Sequence, residues 1–332
     1  MRYNIDMLIR SRFALIVTLL VLFVGSVPAY AADSFSLTVT PPLFQITIGP
    51  GETWSSTIKA VNTNPYDTTL YTTVMEFQAT GEEGQGTLVP VTQQDASSTG
   101  TTLADWISVS KDPIPAARGN SIDVPFTVTI PRNAAPGGYY AAILIGSQPF
   151  DNQPAGSLIR VSSYISSLIF VRIKGDVVEK GAITEFTTDH YFYNHPQVQF
   201  TTRFDNTGTV HVQPTGNIEV FSMWGTKMAT IPINEKSNFG NVLAHSVRKF
   251  SFTWDSQDSL SDFGLYHAVL TLTFGTDEKQ NISAQTSFWI VPLKPLAYAG
   301  GMILLIMLLI LWIVRSSINR ALRRYQITPE TE

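Results

Sequence analysis

The densest grouping of side chains able to recognise or react is the hexapeptide His190-Tyr191-Phe192-Tyr193-Asn194-His195. Three successive rings beside an amide and two imidazoles can lie on a sugar face or anchor a protein partner. Tyr191, Tyr193, Asn194 and His195 are therefore the candidate partner-binding residues. The structural alternative is that alternate rings point into a core, with Tyr193 covering a seam between domains. His190 and His195 would face opposite sides of a strand, a poor spacing for one shared metal ion. Asp255, Asp258 and Asp262 share one polar stretch, and such oxygen ligands suit Ca²⁺, but their spacing is that of no EF-hand loop. Glu82 and Glu83 are adjacent carboxylates inside a glycine-rich tip, Gly81 to Gly86. A catalytic carboxylate pair needs a cleft that drives the two pKa values apart, so a solvated turn is expected here. The chain contains no nucleophile elbow, zinc-protease helix motif, Walker loop or dinucleotide fingerprint. With no Cys it has no disulfide, thiolate metal site or thiol nucleophile. These residues point to a protein that is not an enzyme, uses no cofactor or metal, and takes no small-molecule substrate.

The elements that must carry the hexapeptide are short strands. Between Ser34 and Pro292 the apolar pattern has period two, broken by Gly, Pro and Asn, with no convincing amphipathic helix. Strands are expected at Phe44–Ile48, Trp54–Asn62, Leu70–Phe77, Trp106–Val109, Ile122–Ile130 and Tyr139–Ile145. Leu158–Lys174 is apolar on both faces, as a central strand would be. A further seven strands are expected: Ile183–Phe192, Val198–Phe204, Ile218–Phe221, Met228–Ile233, Val247–Trp254, Tyr266–Phe274 and Ile282–Ile290. The expected fold is all-β, with two tandem Ig-like antiparallel β-sandwiches at residues 32–175 and 176–294 that pack end to end. Asn62-Thr63-Asn64 and Asn206-Thr207-Gly208 each follow an early strand, an internal echo consistent with duplication. Asn and Gly tolerate the left-handed backbone that a tight turn uses, which gives the echo a mechanism.

The two ends read differently. Residues 1–31 have the basic start, apolar stretch and Ala29-Tyr30-Ala31 small-residue site of a secretory signal peptide. Residues 295–314 form an uncharged run of about transmembrane length, with Arg315, Arg320, Arg323 and Arg324 behind it. The positive-inside rule then gives a single span with the N-terminus outside and a short basic cytoplasmic tail, 315–332. The segment before the span lacks an LPxTG-like motif, so a retained helix is expected rather than a cleaved wall anchor. The basic residues concentrate at the two ends, which leaves the ectodomain mildly acidic. That disfavours nucleic acid as a partner.

This layout resembles the WxL-interacting proteins of Gram-positive bacteria. The similar stretches in the first domain are Val39-Thr40-Pro41, Gly49-Pro50-Gly51-Glu52, Val61-Asn62-Thr63-Asn64, Val124 to Pro131, Gly137 to Ile143 and Ile169 to Lys174. In the second they are Asn206 to Val212 and Phe263 to Tyr266. The resemblance implies a peptidoglycan-binding-type first domain and a second domain that holds another surface protein. The expected function is a membrane-anchored scaffold or adhesion protein whose partners are a surface protein, peptidoglycan, or both. The alternative from a different class is the ectodomain subunit of a transmembrane signalling or secretion complex. A diffusing periplasmic chaperone is disfavoured by the retained span.

Overall fold

The computed structural model describes residues 35–90, 102–149, 163–235, 240–256, 263–276 and 278–325. The expected signal peptide, together with Asp258 and Asp262, lies outside them. The described chain is mainly β, arranged in two pairs of sheets.

In the first pair, one sheet has the order β1 (Leu37–Thr40), β3 (Thr53–Asn62), β8 (Ser121–Thr129) and β6 (Ile107–Val109). The facing sheet has the order β2 (Leu43–Ile48), β10 (Tyr164–Ile173), β9 (Gly137–Gly146), β4 (Thr68–Thr80) and β5 (Gln85–Pro90), with β7 (Ile114–Ala116) paired to the start of β4. Alternation assigns the faces: in β3, Ile58, Ala60 and Asn62 are buried and Thr57 and Lys59 exposed. Phe44 of β2 meets Trp54 and Phe126 of the opposite sheet with ring centroids 5.5 and 5.2 Å apart, edge to face. Central β9 is buried on both faces from Ala141 to Gly146. The one-turn helix α1 (Leu103–Trp106) buries Leu103, Ala104 and Trp106, with Trp106 against Tyr139 of β9 at 4.8 Å. The Asp105 carboxylate accepts the Thr102 N–H at 2.9 Å and closes the start of that turn.

The second pair repeats the plan. One sheet is β11 (Gly181–Thr188), β13 (Gln197–Asn206), β16 (Ser246–Asp255); the other is β12 (Phe192–Tyr193), β18 (Gln280–Ile290), β17 (Gly264–Phe274), β14 (Thr215–Phe221), β15 (Lys227–Ile233). The order β12-β18-β17-β14-β15 matches β2-β10-β9-β4-β5 strand for strand, and β11-β13-β16 matches β1-β3-β8. The inner faces share one core, in which Phe200 and Trp254 from the three-stranded sheet meet Tyr266 and Phe288 from the five-stranded one. Along β17 the inward positions Tyr266, Ala268, Leu270, Leu272 and Phe274 are all apolar and buried, while the outward ones include His267, Thr271 and Thr273. This period of two is the sequence cause of its mainly one-sided burial.

Several expectations need correcting. The sheets are not wholly antiparallel: β2 runs parallel to β10, and β12 parallel to β18. In each pair the entering chain starts on one sheet and crosses to the other, so Ile183–Phe192 is not one strand but β11 and β12 separated by Asp189–Tyr191. Trp106 belongs to a helical turn rather than a strand.

The echo is present with a different mechanism. Neither Asn62 nor Asn206 has positive φ. Both are fully buried at the end of equivalent strands, β3 and β13, and act through their side-chain amides. Asn62 Nδ2 donates to the carbonyls of Tyr66 (3.0 Å) and Ala116 (2.9 Å), while its Oδ1 accepts the Asn64 N–H at 3.0 Å. Asn206 Nδ2 donates to Val210 (2.8 Å), Val242 (2.9 Å) and Leu243 (3.0 Å), and its Oδ1 accepts the Gly208 N–H at 3.0 Å. Each knot ties down loop backbone groups: the amide of Asn62 serves Tyr66 and Ala116, and that of Asn206 serves Val210 while sharing Val242 with the Val212 N–H and Leu243 with the Ser246 hydroxyl. The third residue differs because Val178–Lys180 passes over the second knot. A Cβ on Gly208 would lie 2.4 Å from the Val178 carbonyl oxygen.

The C-terminal helix α2 (Leu293–Tyr325) is longer than the expected span. Leu296–Arg320 within it, 25 residues, is long and apolar enough to cross a membrane, by length and composition.

Candidate functional site

The hexapeptide sits where β12 joins the edge of the five-stranded sheet. Trp289 N–H donates to the Tyr191 carbonyl at 2.8 Å and Val291 N–H to the Tyr193 carbonyl at 2.7 Å. This ladder sends the side chains to opposite sides. Tyr193 is 7% exposed and packs on Phe288 at 5.6 Å, inside the second core. Its hydroxyl donates to Asp189 Oδ1 at 2.5 Å and accepts the His190 N–H at 2.9 Å. Burial, and then the hydrogen bond to the Asp189 carboxylate, push the Tyr193 phenol up to about 12. Burial works to raise the Asp189 carboxyl as well, but the hydrogen bonds from Tyr193, the Gln199 backbone and His190 outweigh it and hold the group below its ordinary value. Tyr193 is thus a structural pin of the second core that covers no domain seam, and its edge lines the groove formed by its neighbours. Asn194 and His195 are exposed. With Asp189, His190, Phe192, Val291 and Leu293 they line an open groove of about 670 Å³ beside the start of α2. Tyr191 and Phe192 are 56% and 65% exposed and touch edge to face at 4.9 Å. Four residues expected to act together are therefore divided: one inside, three at a rim.

The carboxylate tip is not a free turn. Glu82 Oε2 lies 2.6 Å from Arg203 Nε, Glu83 Oε1 is 3.4 Å from Lys249 Nζ, and the Glu82 carbonyl accepts the Lys249 N–H at 2.7 Å. The β4–β5 hairpin thereby grips β13 and β16 of the other sheet pair. A second set of contacts lies nearby. Gly138 N–H donates to the Thr209 carbonyl at 2.8 Å, and the Tyr140 hydroxyl accepts the Ala244 N–H at 3.1 Å. His211 packs edge to face on Tyr140 at 5.6 Å and on Phe170 at 5.4 Å. Arg172 and Glu179 form a buried ion pair beside it, and Glu179 also accepts the Thr276 N–H at 3.0 Å. Burial, then the Arg172 charge, lower the His211 imidazole to about 4, against a smaller upward pull from Glu179. Among the described residues no three of His, Asp or Glu are grouped to hold a metal ion. Asp255 is exposed at the end of β16, and its two expected co-ligands are not described.

What sequence reading missed is an edge. β16 pairs with β13 along all ten residues without a register shift. Lys249 sends its N–H away from β13, to Glu82, so the backbone groups of Ser251, Thr253 and Asp255 point the same outward way. Among the described residues no strand pairs with that edge. The equivalent strand of the first pair, β8, is covered by β6 through Ile107–Val109. Nothing in the sequence warns of the difference: the short apolar run Val242-Leu243-Ala244 stands before Ser246, yet Val242 bridges Val212 instead of covering β16.

No family model and no curated protein matches the chain. Among solved structures it is similar to the class 5 fimbriae chaperone CfaA, at 11% identity over 76% of this chain and 99% of that one, with a TM-score of 0.38. It is also similar to a chain of the CsuC–CsuE chaperone–tip adhesion subunit pre-assembly complex of Acinetobacter baumannii (12%, 75% and 97%, TM-score 0.36). A third is the Escherichia coli chaperone DraB (11%, 75% and 98%, TM-score 0.33).

Proposed function

We propose that the chain is a non-enzymatic, single-pass surface protein, N-terminus outside and C-terminus cytoplasmic, which holds another secreted protein by strand addition at β16. In this reading residues 32–175 and 176–294 are two tandem Ig-like sandwiches, arranged as in the WxL-interacting proteins, and 295–314 lie in the membrane. The observation that carries the proposal is the free outer edge of β16 at Ser251–Asp255. Unpaired backbone donors and acceptors on an ordered strand are a template for an extended segment of a partner. The core-facing side chains behind it, Phe250, Phe252 and Trp254, keep that edge rigid. The apolar run of α2 up to Val314, with Arg315 and Arg320 in the helix just behind it, supports the topology.

The test uses the full chain in nanodiscs, exposed to the secreted proteins of its host and, separately, to purified wall sacculi. Thr253→Pro removes one outward N–H and places a ring on the edge while leaving the bonds to β13 intact. Capture of a secreted protein that is lost in Thr253→Pro, with unchanged thermal unfolding, is the expected result. Equal capture by the variant would reject the edge. Sedimentation with sacculi and no protein partner would move the assignment to peptidoglycan, and released sugar or peptide ends would make the protein an enzyme.

A further inference from the structure

One end of the second sheet pair is unlike the rest of the β surface. β18 ends at Ile290, next to the start of α2 at Leu293. β17 begins at the same level, with Gly264 paired to Ile290. Strand β14 runs to that end and turns back into β15 through Ser222–Thr226, a tight turn closed by the Gly225 N–H to Ser222 carbonyl bond at 2.9 Å. The parallel pairing of β12 with β18 brings Phe192 opposite Trp289. The large apolar side chains left exposed there are Trp224 (78%), Phe192, Tyr191, Met223 and Phe263. Met223 lies against Gly264, where a Cβ would come within 2.4 Å of its sulfur. Three segments distant in sequence thus present rings around the point where the apolar helix departs. A soluble surface rarely gathers such groups without covering them.

We infer that this end of the protein lies in the lipid headgroup layer, with Trp224 and Phe192 as its main anchors and Tyr191, Met223 and Phe263 between them. The inference rests on the membrane reading of α2 given above. Its geometry follows from chain length. From Ile290 only six residues lead to Leu296, where the apolar span begins. At about 3.3 Å per extended and 1.5 Å per helical residue, the sheet end stands no more than roughly 15 Å from the hydrocarbon edge. Trp and Tyr prefer that zone because their rings are apolar with one polar edge. The docking would fix the tilt of the β region over the bilayer and aim the β16 edge. Because it is built from rings rather than cations, it should need no anionic lipid and resist salt.

The chain has no Cys, so a single introduced Cys is a unique labelling site. Nitroxides are placed one at a time at Thr226→Cys and Asn194→Cys, which leave the rings intact, at exposed Lys279→Cys as an aqueous reference, and at Leu305→Cys within α2. The full chain is reconstituted in phosphatidylcholine nanodiscs, and collision with a water-soluble nickel chelate is read against collision with oxygen. The expected result is a nickel accessibility at 226 and 194 several-fold below that at 279, unchanged in high salt, and restored by Trp224→Ser with Phe192→Ser. Accessibility at 226 and 194 equal to that at 279, with 305 dry, would overturn the docking alone. A wet label at 305 would remove the membrane reading and the docking with it. Labels that dry only when secreted host proteins are added would assign the patch to a protein partner and overturn the lipid assignment.

Discussion

The two sheet pairs share a strand order but not a finish. In the first, β6 covers three residues of the β8 edge, α1 packs on β9, and β7 pairs with β4 over three residues. In the second, β16 has no described strand on its outer edge, and the counterpart of β7 shrinks to a single bridge between Val212 and Val242. The shared part is what an isolated fold needs: crossed entry strands, a buried Asn at the end of β3 or β13, and a parallel closing strand. The parts that differ lie at the surface, which is where recognition is set. The β8 edge of the first pair is partly covered by β6, while the second pair leaves β16 uncovered among the described residues and gathers exposed rings at the end beside α2.

The largest expected effects test whether the Asn knots are the shared fold device. Asn62→Ala would take the amide donor from the carbonyls of Tyr66 and Ala116 and the acceptor from the Asn64 N–H. Asn206→Ala would strand the Val210 carbonyl alone, since Val242 keeps the Val212 N–H, Leu243 the Ser246 hydroxyl and the Gly208 N–H the Lys180 carbonyl. At about 1–3 kcal/mol for each buried group left unpaired, Asn62→Ala should cost about 4 kcal/mol and Asn206→Ala about 2 kcal/mol. Denaturant unfolding of the full chain in nanodiscs is the measurement. A cost below about 1 kcal/mol at both sites would show that water replaces the amide and that the echo is incidental.

Most strands were legible because one-sided burial writes period two into the sequence, as along Gly264–Phe274. The break between β11 and β12 was not, since Ile183–Phe192 carries enough apolar and aromatic residues to pass for one strand. Its interruption comes from Asp189 turning to meet Tyr193 and the Gln199 N–H, a tertiary arrangement. The candidate site was legible only as a cluster of rings. Which ring is buried depends on the pairing of β12 with β18, more than ninety residues away. The Glu82–Glu83 tip read as solvated because its partners, Arg203 and Lys249, belong to the other sheet pair.

A middle-sized effect tests the contact between the pairs. His211 has a native pKa of about 4 against an ordinary 6.5. Its folded form resists the proton, so stability is complete above about pH 6.5 and falls as pH drops toward 4, where the unfolded chain binds a proton that the native chain does not. The gap corresponds to about 3 kcal/mol at full extent, and about 2 kcal/mol by pH 5. His211→Phe keeps a ring between Tyr140 and Phe170 and removes the titration. The variant should lose less stability than the parent between pH 7.5 and pH 5, measured as unfolding midpoints in urea. Parallel pH curves for the two would show that His211 is hydrated and outside the contact.

The smallest effect separates gripping from aiming at the hairpin tip. Glu82 and Arg203 are each about two-fifths exposed, at 40% and 42%, so the pair is screened by solvent. Glu82→Gln should therefore cost less than about 1 kcal/mol. The Glu82 carbonyl, which accepts the Lys249 N–H, survives the substitution, and with it the link to β16. Gly84 is a harsher probe of the same tip. Its φ is +76°, and a Cβ there would meet the Arg248 guanidinium at 2.5 Å, so Gly84→Ala strains the turn and displaces the end of a β16 side chain that packs on it. If the first pair holds the open edge of the second in place, Gly84→Ala should weaken partner capture while Glu82→Gln leaves it intact. Stability, read by urea unfolding, should fall for the first variant and barely move for the second. Loss of capture in Glu82→Gln with unchanged stability would mean that the carboxylate itself meets the partner, placing the binding surface across both sheet pairs rather than along β16.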